Sequence, residues 1–429
     1  MLVSVSRRRS LAALAALGAT LAAAPALAQV RIDISGVGGT RIPVAIVDFR
    51  DEAKSPQPIA GIIRADLERS GQFRSVDAPA GLNETSMPAF AEWRSKQADA
   101  LVAGTVNRLA DGRVDIRFKL WDVVKGTELI GQAQAVHPDD ARLAAHRIAD
   151  LIYEKLTGDK GVFATRMAYV TKTGRRYSLV IADADGEGAK VALTSPEPII
   201  SPAWAPNGRE LAYVSFESGK ATVRVQDVQT GARRVLADFK GTNSAPAWAP
   251  DGSQLALSLS REGGTQLFAI NRDGSGVRRL ARSSAIDTEP CYSPDGTQIY
   301  FVSDRGGGPQ IYRMPAGGGG ADRITFNGTY NISPAISPDG RTLAYITRTG
   351  GAFRVSVMDI ATGDSQQISD ASEDESPAFS PNGKLIVYAS RAGGREVLMT
   401  TTLDGKIKTP LLITTAEVRE PTWGPFASQ

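Results

Sequence analysis

A single cysteine, Cys291, stands in the 429 residues, so the chain can form no internal disulfide and no cysteine-built metal cage. It falls in a repeated stretch where other copies carry Ala203, Ala247 and Ala335, which marks it as a small core residue and not a reactive thiol. Histidine is almost as scarce: His137 and His146 are the only two, and neither sits in a partner motif. No charge of one sign dominates either. The 49 basic and 46 acidic residues are interspersed and leave a formal net charge of +3, so no basic stripe marks a nucleic-acid partner. Long apolar runs are confined to the amino terminus, and nothing after it approaches the roughly 20 apolar residues of a membrane-spanning helix.

What is abundant is turn chemistry. The 43 glycines and 24 prolines in a chain that is 42% hydrophobic suit many tight turns between short strands. They recur in order. "SPAWAPNG" at residues 201–208 returns as "APAWAPDG", "EPCYSPDG", "SPAISPDG" and "SPAFSPNG", with a clipped "EPTWGP" near the end. The leading prolines Pro202, Pro246, Pro290, Pro334, Pro377 and Pro421 are separated by 44, 44, 44, 43 and 44 residues. A second series, Tyr169, Tyr213, Leu257, Phe301, Tyr345 and Tyr388, runs in step with the first. A β-rich unit of this length is one blade of a propeller. Within a unit, "PAW", "ELAYVSF", "ATVRVQDV" and "RRVLA" read as four strands, and "APNG" as a tight turn in which Pro206 fixes φ, Asn207 bonds its own backbone and Gly208 takes positive φ. The first unit lacks a "PAW" strand and the last "PTW" lacks a unit, so six blades are expected to close with the carboxy-terminal strand as the clasp.

Residues 1–28 read as an export signal: "SRRRS", an alanine-rich apolar stretch and "ALA" before Gln29. "SRRRSL" also brushes the twin-arginine pattern, second to ordinary secretion. Residues 29–40, rich in glycine, read as a mobile arm, with an edge strand as the alternative. Residues 41–158 read as a small α/β domain: "RIPVAIVDF" as a buried strand, "IAGIIRADLERSGQF" as a helix stopped at Gly71, strands meeting at Asp111 and Gly112, and "ARLAAHRIADLIYEKLTG" as an amphipathic helix ended by Gly158. The propeller is assigned to 159–429.

Chemical motifs are few. "DADGEG" at Asp183 to Gly188 starts like a calcium loop but lacks the closing glutamate and reads as a hairpin turn. Glu373, Asp374 and Glu375 gather acid before a "PAFSP" strand, and read as solvated loop charges over a cation site. No "GxSxG" elbow occurs, and "SPDG" lacks the residue that sialidase Asp boxes place between Asp and Gly. A secreted propeller hydrolase with an unrecognised site is the alternative to a binding module.

The order of parts, with "ISPAWAPNG", "LAYVSFESG", "IYEKLTG" and the terminal "PTWGPF", resembles the TolB family of the periplasmic Tol-Pal system. The resemblance implies a non-enzymatic, cofactor-free module of the Gram-negative periplasm, monomeric, without nucleic-acid partner or membrane insertion. It implies that the propeller mouth binds the lipoprotein Pal and the amino-terminal arm binds TolA, in support of outer-membrane integrity and constriction at division. Carried over by position, Thr242, Asn243, Ala245, Thr288 and Glu289 face Pal, with Thr242 where other members can carry histidine. The arm residues for TolA are Gln29, Val30, Arg31, Ile32, Asp33, Ile34, Ser35 and Gly36.

Overall fold

The computed structural model describes residues 41–78, 80–414 and 416–426. The export signal and the arm, Gln29 to Gly36 included, lie outside the described residues.

The first element, β1 (Ile42–Ile46), is apolar throughout because both its faces are covered. Val44 and Ile46 join one core with Ile59, Ile63, Phe73, Ile148 and Ile152, while Ala45 belongs to a second with Trp93, Leu101 and Trp121. Helix α1 (Ile59–Arg69) and strand β2 (Phe73–Val76) follow, then a short helix α2 (Phe90–Ser95) that carries Trp93. Strands β3 (Ala100–Arg108), β4 (Val114–Asp122) and β5 (Thr127–Val136) complete a sheet of order β2-β1-β3-β4-β5. β1 runs parallel to β2 and β3, and the last three strands form an antiparallel meander. Gly104 in β3 is obligatory: a Cβ there would lie 2.4 Å from the Arg117 carbonyl and 2.5 Å from the Phe49 ring. Helix α3 (Ala141–Thr157) packs beside α1 and stops at Gly158, whose φ of 81° suits glycine alone. β2, α2 and β5 are additions to the sequence reading. β5 is a polar edge strand with little buried on either face, so no alternation announced it.

Six four-stranded sheets follow. Blade 2 comprises Ile199–Trp204, Glu210–Ser215, Thr222–Asp227 and Arg233–Ala237. Blades 3 to 6 start from Asn243–Trp248, Asp287–Tyr292, Asn331–Ile336 and Asp374–Phe379. Blade 1 has Arg166–Thr173, Arg176–Asp183 and Lys190–Ser195, and takes its innermost strand from the far end of the chain, Glu417–Trp423. The clasp is antiparallel, with Thr422 opposite Ala168 and Trp423 opposite Met167, and the Trp423 Nε1 donates to Thr165 Oγ1 at 2.8 Å. The second repeat series is the inter-blade core: Tyr169, Tyr213, Leu257, Phe301, Tyr345 and Tyr388 are all at most 3% exposed. The "PNG" and "PDG" turns have the expected geometry, with Gly208, Gly252, Gly296, Gly340 and Gly383 at φ from 64° to 74°. Asn207 accepts from the Arg209 N–H at 2.8 Å, as Asx turns require.

The candidate functional site at the propeller mouth

Each blade's innermost strand runs along the central channel, and its leading proline sits where an N–H would have no ladder partner. The residue before it takes a left-handed conformation in every blade: Ser201, Ala245, Glu289, Ser333, Ser376 and Glu420 have φ between 49° and 54°. Ladder register shifts at the same place in all six sheets. The bulges turn side chains inward, and three carboxylates use that direction to join blades. Glu289 accepts from the Ser333 N–H at 2.7 Å, Glu420 from the Ser201 N–H, and Glu375 from the Glu420 N–H at 3.3 Å. Burial pushes the Glu420 carboxyl up to about 7, with the charges of Glu375 and Glu289 adding to it.

Two faces of the ring differ. The face with the turns inside each strand 1–2 and 3–4 pair carries the α/β domain. There Arg142 of α3 donates to Asp183 at 3.0 Å and also pairs with Asp185, Gly71 lies against Thr402 and Ile407, and Lys384 meets Asp159, just past the end of α3, at 3.0 Å. The other face is the mouth. It carries the connections from one blade to the next and the hairpins between strands 2 and 3.

The five partner residues carried over by position fall on the mouth side, in different surroundings. Thr242 is exposed on a connection, its N–H held by Ser260 Oγ at 2.7 Å. Asn243 is in a strand and not in the entering loop, and is fully buried. Its Nδ2 donates to the carbonyls of Ala221, Phe239 and Gly241 at 2.9–3.2 Å, and its Oδ1 accepts from the Phe239 N–H at 2.9 Å. Ala245 is on the bulge ring, Thr288 pairs with Val302 in the ladder, and Glu289 is engaged between blades. Asn243 therefore shapes the mouth from beneath. Asp287, Asn331 and Asp374 occupy the same place in the next three blades, each at most 2% exposed and each bracing its own connection. The repeat offset of 44, 44 and 43 residues was the signal for this set. Asp374 is thus not a solvated loop charge: it accepts from Ser369 Oγ inside the blade. Of its neighbours, only Glu373 remains outside, paired with Arg391 at 3.3 Å.

Sequence reasoning missed the apolar groups on this face. Ile286 and Phe326, on successive connections, are 54% and 72% exposed. The Arg323 guanidinium lies 5.3 Å from the Phe326 ring centroid, and Phe326 borders a cleft of about 440 Å³ between blades 4 and 5 that runs past Tyr345 and Met358 to the turn at residues 360–363 on the opposite face. Arg261 over the half-buried Phe239 repeats the pairing on another connection at 4.5 Å, while Arg305 lies over the buried Phe301 and Tyr312 rings at 5.2 and 5.0 Å. Such anchors beside arginine are the chemistry of protein interfaces. Cys291 is half-buried and not in the closed core, and burial of its sulfur pushes the thiol up to about 11, which disfavours the thiolate at neutral pH.

The second missed group lies at the domain junction. His146, which sits in no partner motif of the sequence, is 1% exposed with Nδ1 2.6 Å from Asp66 Oδ2, and Arg69 holds the other Asp66 oxygen at 2.8 Å. The "DADGEG" hairpin brings Asp185 and Asp183 to 3.7 and 3.9 Å from His146 Nε2. Asp66, His146 and Asp185 are close enough together to hold a cation. Arg142 bridges Asp183 and Asp185 while Arg69 holds Asp66, so the described side chains form an ion-pair network.

Comparison with known proteins accounts for both halves. Residues 30–129 match the TolB amino-terminal domain and residues 153–427 the TolB beta propeller domain. The chain is 64% identical over 425 residues to the Tol-Pal system protein TolB of Polaromonas sp. (strain JS666 / ATCC BAA-500), covering 99% of this chain and 98% of that one. It is 66% identical over 402 residues to the Tol-Pal system protein TolB of Aromatoleum aromaticum, 94% of each. The crystal structure of TolB from Acinetobacter baumannii superposes with a TM-score of 0.83 at 38% identity, over 90% of this chain and 97% of that one. Family models over both halves, near-full-length relatives and a shared tertiary structure agree: the chain belongs to the TolB family of the Tol-Pal system.

Proposed function

We propose that this protein is a non-enzymatic periplasmic interaction module whose propeller mouth binds the lipoprotein Pal and whose arm, residues 29–40, binds TolA, after removal of residues 1–28. In this reading the pair of contacts supports outer-membrane integrity and constriction at division. The observation that carries it is the asymmetry of the ring. One face is occupied by the α/β domain, while the other presents Thr242, Ile286 and Phe326 on connections braced from below by Asn243, Asp287 and Asn331. A rim already fixed by buried hydrogen bonds loses little conformational freedom on docking, which favours affinity.

The test is a calorimetric titration of the soluble domain of Pal into the protein and into Phe326→Ala. A large truncation at an exposed anchor is expected to weaken binding by about tenfold or more, about 1.4 kcal/mol, with unfolding temperature unchanged. Deleting residues 29–40 is expected to abolish TolA binding and leave the fold intact. Undiminished Pal affinity in Phe326→Ala would move the contact off this part of the rim, and undiminished TolA affinity without the arm would remove the arm's role.

A further inference from the structure

The junction between α3 and blade 1 concentrates more titratable groups than a binding rim on the opposite face requires. From α1, Asp66 and Arg69 face His146; from α3 itself, Arg142 and Asp150; from the blade 1 hairpin, Asp183 and Asp185. The hydrogen-bonded and ion-paired set of Asp66, Asp183, Asp185, Arg69 and Arg142 carries one negative charge in excess, which an imidazolium cancels. The atoms are placed for this. Nδ1 is committed to Asp66, and Nε2 is buried without a hydrogen-bond partner while facing the carboxylates of Asp183 and Asp185. A neutral ring with its proton on Nδ1 turns a lone pair toward those oxygens, and a protonated ring turns an N–H toward them.

We propose that His146 is a proton-operated clasp between the α/β domain and the propeller: protonated, it draws the Asp183–Asp185 hairpin onto α3, and deprotonated, it leaves Arg142 alone to hold that hairpin. The clasp does not depend on what binds the mouth. Burial opposes the charged ring, but the hydrogen bond and charge of Asp66, with Asp185 behind them, outweigh burial and the repulsion of Arg142, so the His146 pKa is raised. Asp150, in the same cluster, has its carboxyl pushed up to about 7 by burial, against the N–H groups of Phe163 and Ala164. A raised His146 value means that the ring, which faces the hairpin carboxylates, favours the docked state in acid. That contribution is lost as pH rises through the shifted value.

With two histidines in the chain, histidine-selective nitrogen labelling of the whole protein gives two imidazoles to follow, with exposed His137 as internal reference. The His146 ring is expected to titrate above the ordinary value of about 6.5, and Asp185→Asn to lower its midpoint without moving that of His137. Hydrogen exchange of residues 184–188, taken as the ratio of wild type to Asp185→Asn so that intrinsic rates cancel, should show protection being lost as pH rises through the His146 midpoint found in the titration. A His146 midpoint at or below about 6.5, an unmoved midpoint in Asp185→Asn, or a flat protection ratio would each overturn the clasp. Wild-type titration alone decides the first point, so the conclusion survives a variant that folds poorly.

Discussion

Around the channel, six residues that precede a proline hold φ between 49° and 54°, a conformation that costs an L-residue roughly 1–2 kcal/mol. Because all six blades repeat it, the strain belongs to the architecture: it turns the bulge residue inward, where Glu289 and Glu420 reach the next blade's N–H. Glu420 then sits in a pH-sensitive position. Its folded value of about 7 lies above the ordinary glutamate value of about 4.3, so its contribution is complete in acid and is lost as pH rises through about 7. Glu420→Gln should therefore flatten the fall in stability between about pH 5 and about pH 8 in urea unfolding, and parallel profiles for variant and wild type would contradict the assignment. Asn243→Ala should cost about 1–3 kcal/mol, since it leaves the buried Ala221 carbonyl unpaired, and should weaken mouth binding in proportion to the loosened connection. Asn243 and Glu289, carried over by position as partner contacts, are also bonded within the protein, Asn243 to its own connection and Glu289 to the next blade, for a physical reason. Sequence position places a residue near a mouth, but only the bulge and the ladder decide which way its side chain turns.

The closing strand is the element on which the ring depends. Glu417–Trp423 covers the edge of Arg166–Thr173, and Val418 and Trp423 pack into the core that holds Tyr169 and Leu398. Removing residues 417–429 is expected to replace cooperative melting by a broad transition with aggregation, because it opens a sheet edge and uncovers that core. Trp423→Ala should cost about 3–5 kcal/mol, measured by denaturant unfolding. This element was fully legible in the sequence, because every blade buries the same inward residues at the same offset and a chain-end strand without a unit can only complete a unit without a strand. β2, α2 and β5 were not legible. They are short or polar, and β5 finds its place by ladder bonds to β4 that leave no apolar pattern.

At the scale of the whole molecule, the period of 44 residues reveals the ring but not how the ring meets the α/β domain. Asp66 and His146 are 80 residues apart, and Arg142 and Asp183 are 41 apart across a domain boundary, so neither pair belongs to a local pattern. The exposure of Ile286 and Phe326 was hidden for the opposite reason, since single apolar residues in connections look no different from buried ones. Among the described residues, one face of the ring is covered by the α/β domain and the other is uncovered, and the proposed partner docks on the uncovered one. The most direct test is hydrogen exchange of the whole protein with and without the soluble domain of Pal. Slowed exchange is expected in the mouth connections at residues 238–242, 282–286 and 326–330, with the turns at residues 249–252 and 293–296 on the other face unchanged. Protection confined to those turns, or to the α/β domain, would contradict it.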